Sequence, residues 1–140
     1  MEFIRIKTNR FDELAMLHAA YKAEIGEDNP TPQDFDSLKA AIESGIIHFY
    51  GCVCESKLVG ICSICMTYST FNYKRSGVFE DFYIIPEYRH RGIARKLAAF
   101  ACQDSKVNSL TVACADCDAE MYKAIGFSIP LGQLLAYDIE

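Results

Sequence analysis

The sequence predicts an α/β (α+β) fold, a central and mostly antiparallel sheet flanked by about four helices, in one domain over residues 1–140. Three observations predict it. A strand-like run opens the chain and two helical runs follow it. Residues 46–85 then change to three successive runs rich in β-branched and aromatic residues, and beyond Gly92 helical and strand patterns alternate. The expected order is β, α, α, β, β, β, α, β, α, β.

The run EFIRIK alternates apolar and polar residues from Phe3 to Ile6, the period of two that marks a strand. Leu14, Leu17, Tyr21 and Ile25 recur at steps of three and four, so residues 10–25 are expected as an amphipathic helix. Thr31 and Pro32 read as an N-cap and a first-turn proline, with Phe35, Leu38 and Ile42 as the inner face and Gly45 as the stop.

IIHFYGCVCE, KLVGICSICMTYS and GVFEDFYII are expected as three antiparallel strands, separated by SK and by the polar stretch TFNYKRS. Pro86 ends the third. Ile93, Leu97, Phe100 and Ala101 mark the next helical face, SLTVACA another strand, and AEMYKAIGF a short helix closed by Gly126. LLAYDIE, residues 134–140, is expected as a final strand.

A chain of 140 residues that is 51% hydrophobic and 24% charged buries about two-thirds of its unfolded surface. No low-complexity tract, repeat, membrane span or signal-peptide core is evident, so a cytoplasmic location is expected. Seven cysteines, an odd number set mostly among aliphatic residues, suit a reducing compartment as small buried apolar groups. The pairs Cys62/Cys65 and Cys114/Cys117 have C-x-x-C spacing. Cys62 and Cys65 fall on opposite faces of a strand, 48 residues separate the pairs, and the histidines show no ligand spacing. No metal is expected.

The stretch EYRHRGIARKL sets Arg89, His90, Arg91, Arg95 and Lys96 close together in a chain of net charge −5. A strand ending at Pro86 and a helix starting near Gly92 aim unpaired N–H groups at one point, where the helix dipole adds about half a positive charge. Gly92 admits close backbone approach, Ala94 is small, and Arg91 and Arg95 are candidates to pair with phosphate oxygens. A solvated helix face explains the charges but not the small residues. A nucleic-acid surface conflicts with the acidic chain and the short cluster, so no nucleic-acid partner is expected. A cradle for one pyrophosphate fits the strand, turn and helix order best.

FEDFYIIPEYRHRGIARKL resembles the signature of the GNAT superfamily of N-acetyltransferases, in which an Arg/Gln-x-x-Gly-x-Gly/Ala turn binds the pyrophosphate of acetyl-coenzyme A (acetyl-CoA). Here that turn is Arg89, Gly92 and Ala94. AEMYKAIGFSI resembles the later segment of the same superfamily, through Tyr122, Gly126 and Phe127. The resemblance implies a mixed sheet of six to seven strands, splayed in the middle. It assigns Phe82, Tyr83, Ile84 and Ile85 to the pantetheine arm, as if to another strand. Arg89, His90, Arg91, Gly92, Ile93, Ala94 and Arg95 then fall to the pyrophosphate. An asparagine that often precedes the tyrosine by seven residues is replaced by Ala115, with Asp116 beside it.

The resemblance also implies the catalytic groups. Glu80 corresponds to a base used, often through water, in diamine acetyltransferases, and Tyr122 to the group that protonates or hydrogen-bonds the departing sulfur. Asp81 is expected on the opposite face from Glu80, and a register shift of one residue exchanges the two. EIGEDNPTPQDFD carries Glu24, Glu27, Asp28, Asp34 and Asp36 without a basic residue, a rim that would concentrate a cation. The acceptor implied is a small-molecule amine such as a polyamine or aminoglycoside. A peptide or protein amine, or an acetyl-CoA-binding module without turnover, stands as the alternative. A homodimer is common among such enzymes, but no residue here identifies its interface.

Overall fold

The computed structural model describes residues 1–139. Its elements are β1 (Glu2–Ile6), α1 (Phe11–Glu24), α2 (Pro32–Ser44), β2 (Ile47–Cys54), β3 (Lys57–Ser69), β4 (Lys74–Ile84), α3 (Ile93–Ser105), β5 (Leu110–Val112) and α4 (Ala119–Ile125). The strands form one sheet in sequence order. β1 to β4 pair antiparallel, and β4 pairs β5 in parallel over Gly77–Leu110, Val78–Thr111 and Phe79–Val112 alone.

Local chemistry sets the helix ends. The Thr31 hydroxyl accepts from Asp34 N–H (3.1 Å) and Thr31 N–H donates to Asp34 (2.8 Å), a capping box with Pro32 in the first turn. Gly45 closes α2 in the left-handed region, as expected. On α1, Leu14 and Leu17 are buried, but Ile25 lies beyond the helix and is exposed.

Two apolar clusters flank the sheet. Leu14, Leu17 and Ile42 of α1 and α2 pack on Phe49, Val53, Leu58 and Ile61. Ile93, Leu97, Ala98 and Ala101 of α3 cover the other face, with Tyr50, Val59, Ile64 and Phe79. Each Leu, Ile, Val or Phe among them contributes about 1.5–3 kcal/mol on full burial. Among the described residues no helix is long and apolar enough to cross a membrane.

The sheet has five strands rather than the expected six or seven, because residues 128–139 form none. Glu140, the last residue of the expected final strand, lies outside the described residues. The run alternates as a strand would, but a strand exists only against a neighbour's edge, and these residues lie against none in the described fold. Pro130 and the positive φ of Gly132 interrupt the path from α4.

Candidate active site

The site grows from two irregularities in β4. The first is a bulge. Cys62 pairs with Phe82 and Ile64 with Phe79, so Glu80 and Asp81 together oppose Ser63 alone. Both acids therefore reach the α1 side of the sheet, and the expectation that Asp81 points the opposite way is corrected: it assumed an unbroken period of two.

The two acids occupy different settings. Asp81 is buried, accepts a 2.6 Å hydrogen bond from the Ser63 hydroxyl, and donates its own N–H to the same oxygen at 2.9 Å. Its other carboxylate oxygen lies 3.9 Å from Nδ1 of His18 on α1. Glu80 is exposed and accepts from the Cys65 thiol at 2.6 Å. Burial and the Glu80 contact push that thiol up to about 12, so it stays a donor. Cys62 sits in the apolar cluster on the other face, as strand alternation requires.

The second irregularity is an opening. β5 leaves β4 after Phe79, so beyond that pair no strand lies on this side of Glu80–Ile84 in the described sheet. Ile85 donates to Val59 of β3 (2.9 Å), and alternation then turns the backbone groups of Ile84 and Phe82 toward the opening, while Tyr83 and Ile85 face β3. The splay that the resemblance implies is thus present.

A 3-10 turn at Pro86–Tyr88 joins β4 to the start of α3. His90 and Gly92 both have positive φ, at 62° and 78°, and a Cβ on Gly92 would meet no atom within 4 Å. Ile93, Ala94 and Arg95 supply the first N–H groups of α3, which lack intrahelical acceptors. Arg91 stacks over the Tyr88 ring, 5.1 Å from its centroid. Two expected phosphate partners turn elsewhere. Arg89 donates to Ile84 O (2.8 Å) and pairs with Glu24 (2.7 Å), and Arg95 donates to Ala124 O (2.7 Å) at the end of α4.

Tyr122 stands at the opening. Its ring lies 6.4 Å from Phe82, 6.5 Å from Phe79 and 6.0 Å from Phe127, and burial, with Asp118, Cys114 and Asp81 nearby, raises its phenol. Tyr21 on α1 is pushed up to about 12 by burial first, then by Asp81, Tyr122, Glu27 and Glu80. The strand acids, Tyr122 and α1 therefore converge. Sequence reasoning used Tyr21 only as a helix-face residue and missed His18. The signal available was two polar aromatics at i and i+3 beside Leu14 and Leu17 on that face.

A hollow of about 330 Å³ adjoins His18, lined also by Lys22, Glu27, Asp28, Pro30 and Asp34. The acidic rim is partly committed: Glu24 pairs with Arg89, Glu27 with Lys22 (3.4 Å), and Asp34 caps α2.

The acetyltransferase (GNAT) domain model matches residues 45–129. Among solved structures, a probable acetyltransferase superposes with TM-score 0.82 at 19% identity, covering 99% of this chain and 100% of that one. An aminoglycoside acetyltransferase from an uncultured soil metagenomic sample, in complex with sisomicin, gives 0.84 at 14%, covering 99% and 95%. A possible acetyltransferase from Clostridium difficile 630 gives 0.85 at 14%, covering 99% and 97%. These likenesses show the fold. No curated protein matches the chain.

Proposed function

The chain belongs to the acetyltransferase (GNAT) family, and we propose that it moves the acetyl group of acetyl-CoA to a primary amine of a small cationic acceptor, by direct attack in a ternary complex. One observation carries the reading. β4 parts from β5 after Phe79, where two carboxylates and a phenol gather at the opening.

The residues present fit acetyl-CoA. Phe82 offers its backbone groups and Ile84 its N–H to the pantetheine as a strand would, the Ile84 carbonyl being held by Arg89, and the turn at His90, Arg91 and Gly92 with the first N–H groups of α3 suits the pyrophosphate. Arg91 is the arginine of this turn whose head group is not drawn to a carbonyl or carboxylate in the described contacts. Arg89 acts by position instead, tying β4 to α1.

The amine nitrogen attacks the thioester carbon, the C–N bond forms and the C–S bond breaks. At neutral pH an alkylammonium costs about 4 kcal/mol to deprotonate, so a base is needed. Glu80 takes that proton, directly or through water, and Tyr122 gives its phenolic proton to the leaving sulfur. Asp81, fixed by Ser63, orients the acceptor with Tyr21. The hollow beside His18 holds a further cationic group of the acceptor through Asp28, since Glu27 there is paired with Lys22. The likeness to an aminoglycoside acetyltransferase solved with sisomicin supports a polycationic acceptor of this kind.

The test is incubation with acetyl-CoA and a mixture of polyamines, aminoglycosides, amino acids and lysine peptides, read by mass spectrometry. An acetylated polyamine or aminoglycoside is expected. Acetylation confined to peptides overturns the acceptor class, and bound acetyl-CoA with no product from any acceptor overturns turnover.

A further inference from the structure

Of the eight lysines in the chain, seven are exposed, and the eighth, Lys22 of α1, is partly buried, its side chain 27% exposed. A cation in the last turn of α1 suits the helix dipole, which accounts for its charge but not for where its head group goes. Lys22 lines the hollow beside His18, its Nζ 3.4 Å from Glu27, and its charge is felt at His18 and Asp34.

Lys22 stands one turn beyond His18, at i and i+4, and next to Tyr21. His18 lies 3.9 Å from Asp81, and Asp81, Tyr122 and Glu80 are all close enough to Tyr21 to act on its phenol. The hollow therefore opens one side chain away from the strand acids. A primary alkylamine of the chain itself occupies the place that the proposed function gives to a cationic group of the acceptor. A tethered amine also reacts at an effective concentration far above that of a free one.

We infer that Lys22 is a modification site: with no free acceptor present, the protein acetylates Lys22 of its own chain. The inference rests on the acyl transfer proposed above. The flexible four-carbon stem swings from Glu27 toward the opening at β4, and the ammonium yields a proton to Glu80, directly or through water. Nζ then attacks the thioester carbon of acetyl-CoA, the C–N bond forms, the C–S bond breaks, and Tyr122 protonates the leaving sulfur. The second proton lost from Nζ restores the phenol through solvent, and Glu80 releases the first. The product amide is neutral. Loss of the Lys22 charge frees Glu27 to join Asp28, so the hollow attracts a polycation more strongly after the transfer than before it.

The test is incubation of the full chain with isotope-labelled acetyl-CoA and no acceptor, followed by peptide mapping by mass spectrometry. Label is expected on Lys22 ahead of the exposed lysines, at a rate per molecule that is independent of protein concentration, and is expected to be lost in Tyr122→Phe. Lys22→Gln imitates the neutral product, whereas Lys22→Arg keeps the charge and offers no amine. By calorimetry the first is expected to bind spermidine about two- to fivefold more tightly than the second. Label that reaches the exposed lysines first, and equally in Tyr122→Phe, is plain chemical acetylation and overturns the inference. A rate per molecule that rises with protein concentration places the transfer between copies and overturns it too. An acetylated small acceptor with Lys22 unlabelled overturns the inference and leaves the proposed function standing, whereas no label on Lys22 or on any acceptor defeats both. Equal spermidine affinity in the two variants overturns the consequence for the hollow.

Discussion

Glu80 and Asp81 are adjacent in sequence yet share one face of β4, because together they oppose the single residue Ser63 of β3. A bulge re-aims a side chain without moving the strand that carries it. Here it sets two carboxylates side by side in unlike settings: Asp81 is buried and held twice by Ser63, whereas Glu80 is exposed and touches Cys65. A group that must accept a proton and release it to solvent suits the exposed position, and a group that must stay fixed suits the buried one.

The two acids should therefore separate on substitution. Glu80→Gln is expected to lower kcat by about 10²–10⁴ and leave thermal stability unchanged. Asp81→Asn weakens the Ser63 contact and is expected to destabilise the fold by about 1–3 kcal/mol, with KM for the acceptor raised. Steady-state kinetics beside thermal melts decide it. Unchanged kcat in Glu80→Gln, with kcat lost at full stability in Asp81→Asn, would reverse the roles.

Tyr122→Phe keeps the ring against Phe79, Phe82 and Phe127 and deletes one oxygen. Because burial raises the phenol above its ordinary value of 10, Tyr122 remains a donor across the neutral range. The variant is expected to lose about 10²-fold in kcat, with acetyl-CoA affinity by calorimetry nearly unchanged. A kcat equal to that of the parent removes the assignment.

What the sequence made legible was local. The Thr31 N-cap with Pro32 and the turn at Gly92 depend on residues a few positions apart, and both stand where the pattern put them; the reciprocal bond from Asp34 was an addition of the structure. Tertiary placement decided the rest. Arg89 belongs to the turn by spacing, yet its side chain reaches Glu24, 65 residues away, because α1 lies over the end of β4. The bulge at Glu80 was hidden because alternation assumes one residue opposite one. Residues 134–139 have a strand's pattern without a strand's neighbour, and no pattern within a segment reports whether an edge awaits it.

Gly77 sits where β5 joins the sheet, paired with Leu110. A Cβ there would lie 2.5 Å from Cγ2 of Ile64, 3.2 Å from Val107 and 3.3 Å from Leu110. Ile64 is β-branched and fully buried, so it cannot swing aside. Gly77→Ala is expected to cost about 1–3 kcal/mol by overpacking, read as a lower urea midpoint at an unchanged slope. A parent-like midpoint would show that β5 docks more loosely than this contact implies.

Acid should weaken the fold through two histidines. Nδ1 of His18 is buried without a hydrogen-bond partner among the described residues. Burial lowers its pKa from the ordinary 6.5; Asp81 and Glu27 oppose that shift and Lys22 adds to it. His48 is lowered as well, by burial and then Arg5 and Arg75, against Asp104 and a bond with Gly45. In the unfolded chain both rings gain a proton as pH falls through about 6.5, while in the folded chain they resist until a lower pH. The unfolded state then holds more protons, so stability is full above 6.5, declines below it, and levels off once the folded rings are charged. Thermal melts from pH 7.5 to 5 are expected to show this fall, flattened in His18→Gln and further in the double variant with His48→Gln. An undiminished slope in the double variant would assign the acid sensitivity to other groups and leave the buried Nδ1 without thermodynamic consequence.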